Sequence, residues 1–307
     1  MMKYNIHKDF RVLARLNMRL STMTDIQARR LVGRVTKLPI HITKDLKIHD
    51  EKIESFEDHE MVVDVFDPRI NDEKLPCVIF YHGGGFMLGV NEVHYRYASE
   101  YARMMPCVVV MPDYRLAPED PFPYGVEDCY KTLEWVYENA DRLGVDTDKI
   151  ALVGESAGGN LSAAVAQMSR DRGGPKVAAQ VLIYPTTDNE HVTESVTSFV
   201  DTPMFYSEAN LFMWQQYLCR WQGDVSPYAA PMRATDLSGL PPAFVETAEF
   251  DPLRDEGRIY AERMKADGVH VILHETKGTV HGYDVMKRSE ITHDSLNRRI
   301  AFLKIYL

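Results

Sequence analysis

Short runs dense in valine and isoleucine alternate along the chain with longer stretches whose apolar residues recur every three or four positions. The short runs cover residues 60–66, 77–81, 107–111, 150–153, 181–184, 243–247 and 269–274. Most are almost continuously apolar, the mark of strands covered on both faces. Residues 60–66 instead alternate loosely and stop at Asp67-Pro68, which suits an outer antiparallel strand. The longer stretches predict helices. In 125–143, Val126, Cys129, Leu133 and Val136 fall at helical spacing. Residues 161–170 and 257–265 follow strands directly, and Leu296, Ile300 and Leu303 share one face near the C-terminus. Strands alternating with helices imply parallel βαβ units with right-handed crossovers. The fold class is therefore α/β, with a mostly parallel, doubly wound sheet.

Two segments break the alternation. The N-terminal stretch, to about residue 39, carries an apolar stripe of Phe10, Leu13, Leu16 and Leu20. Residues 188–223 hold Phe199, Met204, Phe205, Leu211, Trp214 and Leu218 without a strand pattern. Both read as helical additions that could lie over one end of the sheet as a lid. Plain extra core fits the same periodicity. The expected division is an N-terminal cap part at 1–40, a core at 41–187 and 224–307, and a cap insertion at 188–223.

With 307 residues, about 150 per domain would suggest two domains, but one α/β domain of this size is common. The apolar share of 45% and charged share of 26% exclude disorder, collagen and coiled coil. A net charge of −10 repels phosphate backbones, so nucleic acid is not an expected partner. The N-terminus is amphipathic and basic but lacks the continuous apolar segment of a secretory signal. It could imitate a mitochondrial presequence, though a packing helix is preferred. No apolar stretch is long enough to span a bilayer. Cys77, Cys107, Cys129 and Cys219 form no C-x-x-C pair, and three sit in apolar patterns, which suits buried thiols in a reducing cytoplasm.

Chemistry enters with Gly154-Glu155-Ser156-Ala157-Gly158, followed by Gly159. It stands between the 150–153 strand and a helical run, the context of a nucleophile elbow. There the chain turns so sharply that side chains two before and two after the serine would clash. The alternative is a tight or phosphate-holding turn, but a phosphate loop would carry lysine where Asn160 stands. A second glycine cluster, His82-Gly83-Gly84-Gly85-Phe86, follows the 77–81 strand. Three bare glycines expose peptide amides, as an oxyanion hole requires, although a flexible loop has the same composition.

A serine nucleophile needs a base and an acid, in the chain order nucleophile, carboxylate, histidine. Asp251 lies in the loop beyond the 243–247 strand, at the sheet edge where catalytic groups gather. Asp255 reads instead as the N-cap of the next helix. His281, beside Gly282, sits in a loop at the same edge, whereas its competitor His274 ends a strand. No dinucleotide fingerprint or metal-ligand spacing appears, so no cofactor is expected.

These residues resemble the hormone-sensitive-lipase-like branch of the α/β-hydrolase esterases. The resemblance rests on HGGGF at 82–86, PDYRLAPEDPFP at 112–123, GESAGG at 154–159, DPLRDEG at 251–257 and HGY at 281–283. It implies an α/β-hydrolase fold with a helical cap built from the two misfit segments. It also implies Ser156 as nucleophile, Asp251 as triad acid, His281 as base, and an oxyanion hole from the amides of Gly83, Gly84 and Ala157. Tyr114–Glu119 would support the His82 loop from beneath. Two departures stand out: Glu155 where many members carry Asp, and Tyr283 where Phe is frequent, a change that would bear on pocket polarity. The expected reaction is hydrolysis of small, uncharged, short- to medium-chain carboxylic esters through an acyl-enzyme. Phe86, Phe205 and Trp214 are candidate substrate-pocket residues, with cap core as the competing reading. A non-catalytic small-molecule receptor on the same fold and an amidase or deacetylase are the alternatives. Edge-to-edge pairing through 269–274 would give a homo-oligomer.

Overall fold

The computed structural model describes residues 3–15, 22–24, 27, 30, 46–68 and 73–307. An eight-stranded sheet organises them, in the order β1-β2-β4-β3-β5-β6-β7-β8. The strands are β1 (Lys47–Glu54), β2 (Glu60–Asp67), β3 (Leu75–Tyr81), β4 (Val108–Pro112), β5 (Val145–Glu155), β6 (Ala179–Ile183), β7 (Ala243–Phe250) and β8 (Val271–Val280). Only β2 runs against the others, pairing antiparallel with both β1 and β4. The antiparallel direction expected for residues 60–66 is found, but the strand is not outermost. β1 lies beyond it, hidden in the sequence because an edge strand with only Ile53 buried need not be apolar.

Alternate residues of the central strands feed two cores. Cys77, Ile79 and Tyr81 of β3, with Ile150 and Leu152 of β5, face one side. Val78, Phe80, Ala151 and Val153 face the other. The first side is covered by α2 (Tyr124–Glu138), α4 (Ala157–Arg172) and α7 (Arg254–Ala266), through Leu133, Leu161, Val165 and Met264. The second is covered by α1 (Glu92–Met104) and α8 (Glu290–Tyr306), through Tyr97, Tyr101, Leu296, Ile300 and Leu303. The single helix expected over 125–143 is two, because α2 ends at Asn139 before the short α3 (Ala140–Leu143). α1 had no aliphatic stripe to announce it. Its buried face is made of His94, Tyr97, Ala98, Tyr101 and Ala102, and its start is a capping box of Asn91 and His94.

Two short helices, α5 (Glu194–Ser198) and α6 (Ser207–Tyr217), form within the 188–223 segment. Phe199, Phe205 and Trp214 are buried there, while Leu211 is exposed. At the N-terminus Phe10 and Leu13 are buried, with Phe10 edge-on to Tyr283. Tyr4 packs between Phe199 and Phe250, so the N-terminal segment touches the 188–223 segment. Leu16 and Leu20, the other half of the expected stripe, lie outside the described residues, as do 31–45.

Candidate active site

The functional side chains gather where β3, β5, β7 and β8 deliver their carboxyl ends. β5 passes into α4 through Ser156, which holds φ 57° and ψ −119°. That strained backbone lifts the hydroxyl clear of the sheet and leaves no room for side chains nearby. A Cβ on Gly154 would meet the Gly158 carbonyl oxygen at 2.2 Å, and one on Gly158 would meet the Tyr81 carbonyl oxygen at 1.9 Å.

β8 runs six residues past the expected strand end, to Val280, and so hands His281 directly to the rim. His281 Nε2 lies 2.9 Å from Ser156 Oγ, and Nδ1 lies 2.7 Å from Asp251 Oδ2. Asp251 is fully buried, and its Oδ1 accepts the Leu253 amide at 2.9 Å. With Nδ1–H donated to the carboxylate, Nε2 is free to accept the serine proton. His274 stands apart, within β8 against Phe244, and joins no such chain.

Asp255 does not cap its own helix, whose N-cap is Leu253. It sits inside the first turn and accepts the Ser195 amide at 2.8 Å, fastening α7 to the 188–223 segment. Tyr283 also differs from expectation. It is fully buried in the second core, where its hydroxyl donates to Glu246 Oε1 at 2.7 Å, and does not reach the pocket.

The glycine loop after β3 faces the elbow. Among the described residues, the amides of Gly84 and Ala157 have no acceptor, and Ala157 opens α4, whose dipole favours negative charge. The Gly83 amide is already committed: it donates to Glu155 Oε1 at 2.7 Å. Of the three amides expected to receive an oxyanion, those of Gly84 and Ala157 are therefore left, and the Gly85 amide on the same cavity-lining loop likewise has no acceptor among the described residues. The Tyr114 block does lie beneath this loop. Tyr114 stacks on His82 at 4.2 Å and donates its hydroxyl to the His82 carbonyl at 2.7 Å. The Ala117 amide donates to the Phe86 carbonyl, and Arg115 is anchored on buried Asp128.

A cavity of about 260 Å³ opens over Ser156 and His281. Met87, Leu88, Phe205 and Met213 supply apolar wall, while His94 and Glu155 supply a polar one. Of the three aromatic candidates, Phe205 lines the cavity, its ring 4.7 Å from that of His281. Phe86 and Trp214 do not. Phe86 stacks on Tyr217 at 3.8 Å and Trp214 packs beside the pair, which makes them the core between the loop and α6.

Several site residues had no motif to mark them. Tyr184, just past β6, sets its ring edge-on to His281 at 4.8 Å. Its hydroxyl donates to Asp284 Oδ1 at 2.6 Å, as does that of Tyr97 at 2.9 Å, and Arg299 Nη1 meets Asp284 Oδ2 at 3.1 Å. A place immediately beyond a strand's carboxyl end was the one signal that could have found Tyr184. Among the described residues, no cluster of His, Cys, Asp and Glu could hold a metal ion.

Known proteins resemble this chain in sequence and in fold. A sequence profile of the alpha/beta hydrolase fold matches residues 78–285. The chain belongs to the alpha/beta hydrolase family. Within that family, it is 40% identical over 261 residues to the carboxylesterase NlhH of Mycobacterium tuberculosis, covering 84% of this chain and 82% of the relative. An arylesterase of Saccharolobus solfataricus is 36% identical over 256 residues, covering 82% and 80% of the two chains. Among solved structures, a bacterial heroin esterase superposes with a TM-score of 0.91 at 33% identity, covering 99% of this chain and 98% of that one. The match extends through the 188–223 segment. The hormone-sensitive-lipase-like motifs thus lie in a chain whose relatives carry esterase names.

Proposed function

We propose that the protein is a serine carboxylesterase that cleaves small, uncharged esters of short to medium acyl chain. The observation that carries this reading is the Asp251–His281–Ser156 chain of hydrogen bonds, at 2.7 and 2.9 Å, facing the unpartnered amides of Gly84 and Ala157. As Ser156 Oγ attacks the ester carbonyl, its proton passes to His281 Nε2, and Asp251 stabilises the imidazolium. The carbonyl oxygen, now anionic, accepts from these free amides. His281 then protonates the departing alcohol, and a water repeats the sequence on the acyl-serine. None of these steps calls for a metal or an organic cofactor.

The cavity's apolar wall favours an alkyl or aryl acyl group, and its volume of about 260 Å³ suits a short chain. A receptor would have no use for an aligned base and acid, so the non-catalytic alternative has nothing specific in its favour. The cytoplasmic setting belongs to this proposal and leans on the buried thiols of Cys77, Cys107 and Cys129. So does a homo-oligomer paired along β8, the end strand of the sheet. No helix among the described residues is long and apolar enough to cross a membrane.

The test is steady-state hydrolysis of a ladder of p-nitrophenyl esters. Turnover should be highest for short acyl chains, and Ser156→Ala should lower kcat by at least about 10⁴-fold. Undiminished turnover in folded Ser156→Ala would rule the reading out.

A further inference from the structure

Glu155 stands between the elbow's first glycine and its serine, yet the reaction just described gives it no part. Its carboxyl reaches under the glycine loop, where Oε1 accepts the Gly83 amide at 2.7 Å. The fit is tight, since a Cβ on Gly83 would lie 1.7 Å from Glu155 Oε2. A second donor arrives from α1: His94 Nε2 lies 3.1 Å from the same Oε1. The tautomer follows from its other nitrogen. His94 Nδ1 accepts the Asn91 amide at 3.1 Å, so the proton of the neutral ring is on Nε2 and points at Glu155. Both partners are buried and line the cavity. A continuous path therefore runs from the cap of α1 through His94 and Glu155 to Gly83, the residue before the oxyanion donor Gly84.

We propose that Glu155 is a positioning residue for ester hydrolysis: through the Gly83 amide it fixes the oxyanion loop against the nucleophile elbow, and its ionisation weakens the site. The proposal rests on the esterase reading. Burial pushes the Glu155 carboxyl up to about 8, the Gly83 amide opposing and Asp284 assisting. Burial also takes His94 down to about 4, so between these values the contact is a neutral hydrogen bond and not an ion pair. The titratable groups facing Glu155 are His82 after β3, His94 and Tyr97 on α1, Tyr114 after β4, Tyr184 after β6, and His281 and Asp284 after β8. None is a fixed cation. An ionised Glu155 would place negative charge beside the developing oxyanion in a water-poor site, where such repulsion is strongest. It would also favour the His281 imidazolium, but Asp251 already balances that charge, so the second carboxylate acts mainly against the oxyanion.

The experiment measures kcat and KM for p-nitrophenyl butyrate from about pH 6 to about pH 10 in wild type, Glu155→Gln and Glu155→Ala, with thermal melts of each. Wild-type kcat should decline with a midpoint near pH 8, and Glu155→Gln should lose that decline. Glu155→Ala should lower kcat by about 10- to 100-fold at every pH with KM little changed, as expected for a misplaced oxyanion donor. Glu155→Gln, which keeps an oxygen for Gly83, should recover most of that loss. The proposal is overturned if Glu155→Gln keeps the wild-type decline, or if folded Glu155→Ala turns over like wild type. Should Glu155→Ala not fold, the alkaline limb of Glu155→Gln decides alone. If folded wild type shows no Ser156-dependent turnover, the esterase reading itself fails and takes this proposal with it.

Discussion

At the scale of single residues, the site depends on which atom of each side chain faces which neighbour. Asp251 is the clearest case. Its Oδ2 accepts a hydrogen bond from the His281 Nδ1–H, so the base must present an unprotonated Nε2 to Ser156. Asp251→Asn keeps the shape but can present a donor to Nδ1, which reverses the tautomer. It should lower kcat by about 10³–10⁴-fold, measured under saturating ester in a variant whose melting matches wild type. Ser156, Asp251 and His281 were readable in the sequence because each follows a strand, in an order that few chains share. The Gly83–Glu155 bond was not readable. It joins two loops whose approach is set by the parallel pairing of β3 with β5, and spacing along the chain cannot reveal it. Phe86 and Trp214 were equally opaque, since helical or loop position does not say whether an aromatic ring lines a cavity or fills a core.

At the scale of elements, the strand-to-helix turn makes the strongest demand. Gly158 packs against the Tyr81 and His82 carbonyls with no space for a methyl group. Gly158→Ala should therefore destabilise the protein by about 3 kcal/mol or more and displace Ser156. Gly173 ends the same helix with φ 62° and open space around it. Gly173→Ala should cost only backbone strain, roughly 1–2 kcal/mol, with catalysis intact. Urea titration of both variants checks the contrast. Buried parallel strands announced themselves through unbroken apolar runs, which is why β3, β4, β6 and β7 were legible. β1 and α1 were not, because an exposed edge and a face of tyrosine, histidine and alanine both lack the aliphatic periodicity that marks an element.

For the whole molecule, burial of titratable groups near the site shapes stability across pH. His82 and His94 are both held near 4, chiefly by burial, below their ordinary value of 6.5. Their contribution is present above 6.5 and is lost as pH falls towards 4. Glu155, raised from 4.5 to about 8, behaves in the opposite sense. Its contribution is complete below 4.5 and is lost as pH climbs to about 8. The advantage of Glu155→Gln over wild type should therefore grow from about pH 5 to about pH 9. Calorimetry at three pH values would show this. A constant difference would mean that Glu155 titrates alike in the folded and unfolded chain. The doubly wound architecture was legible at this scale, and so was the existence of two segments outside the alternation. Where those segments lie was not, because their docking depends on distant partners such as Tyr4 with Phe199 and Asp255 with Ser195.

The central claim is that Ser156 is a nucleophile activated by His281. Intact-mass analysis after treatment with a diethyl organophosphate, followed by peptide mapping, tests it directly. One phosphoryl group should appear on Ser156 in step with the loss of esterase activity, and Ser156→Ala should take up none. Labelling at another residue, or full activity after stoichiometric modification of Ser156, would contradict the account.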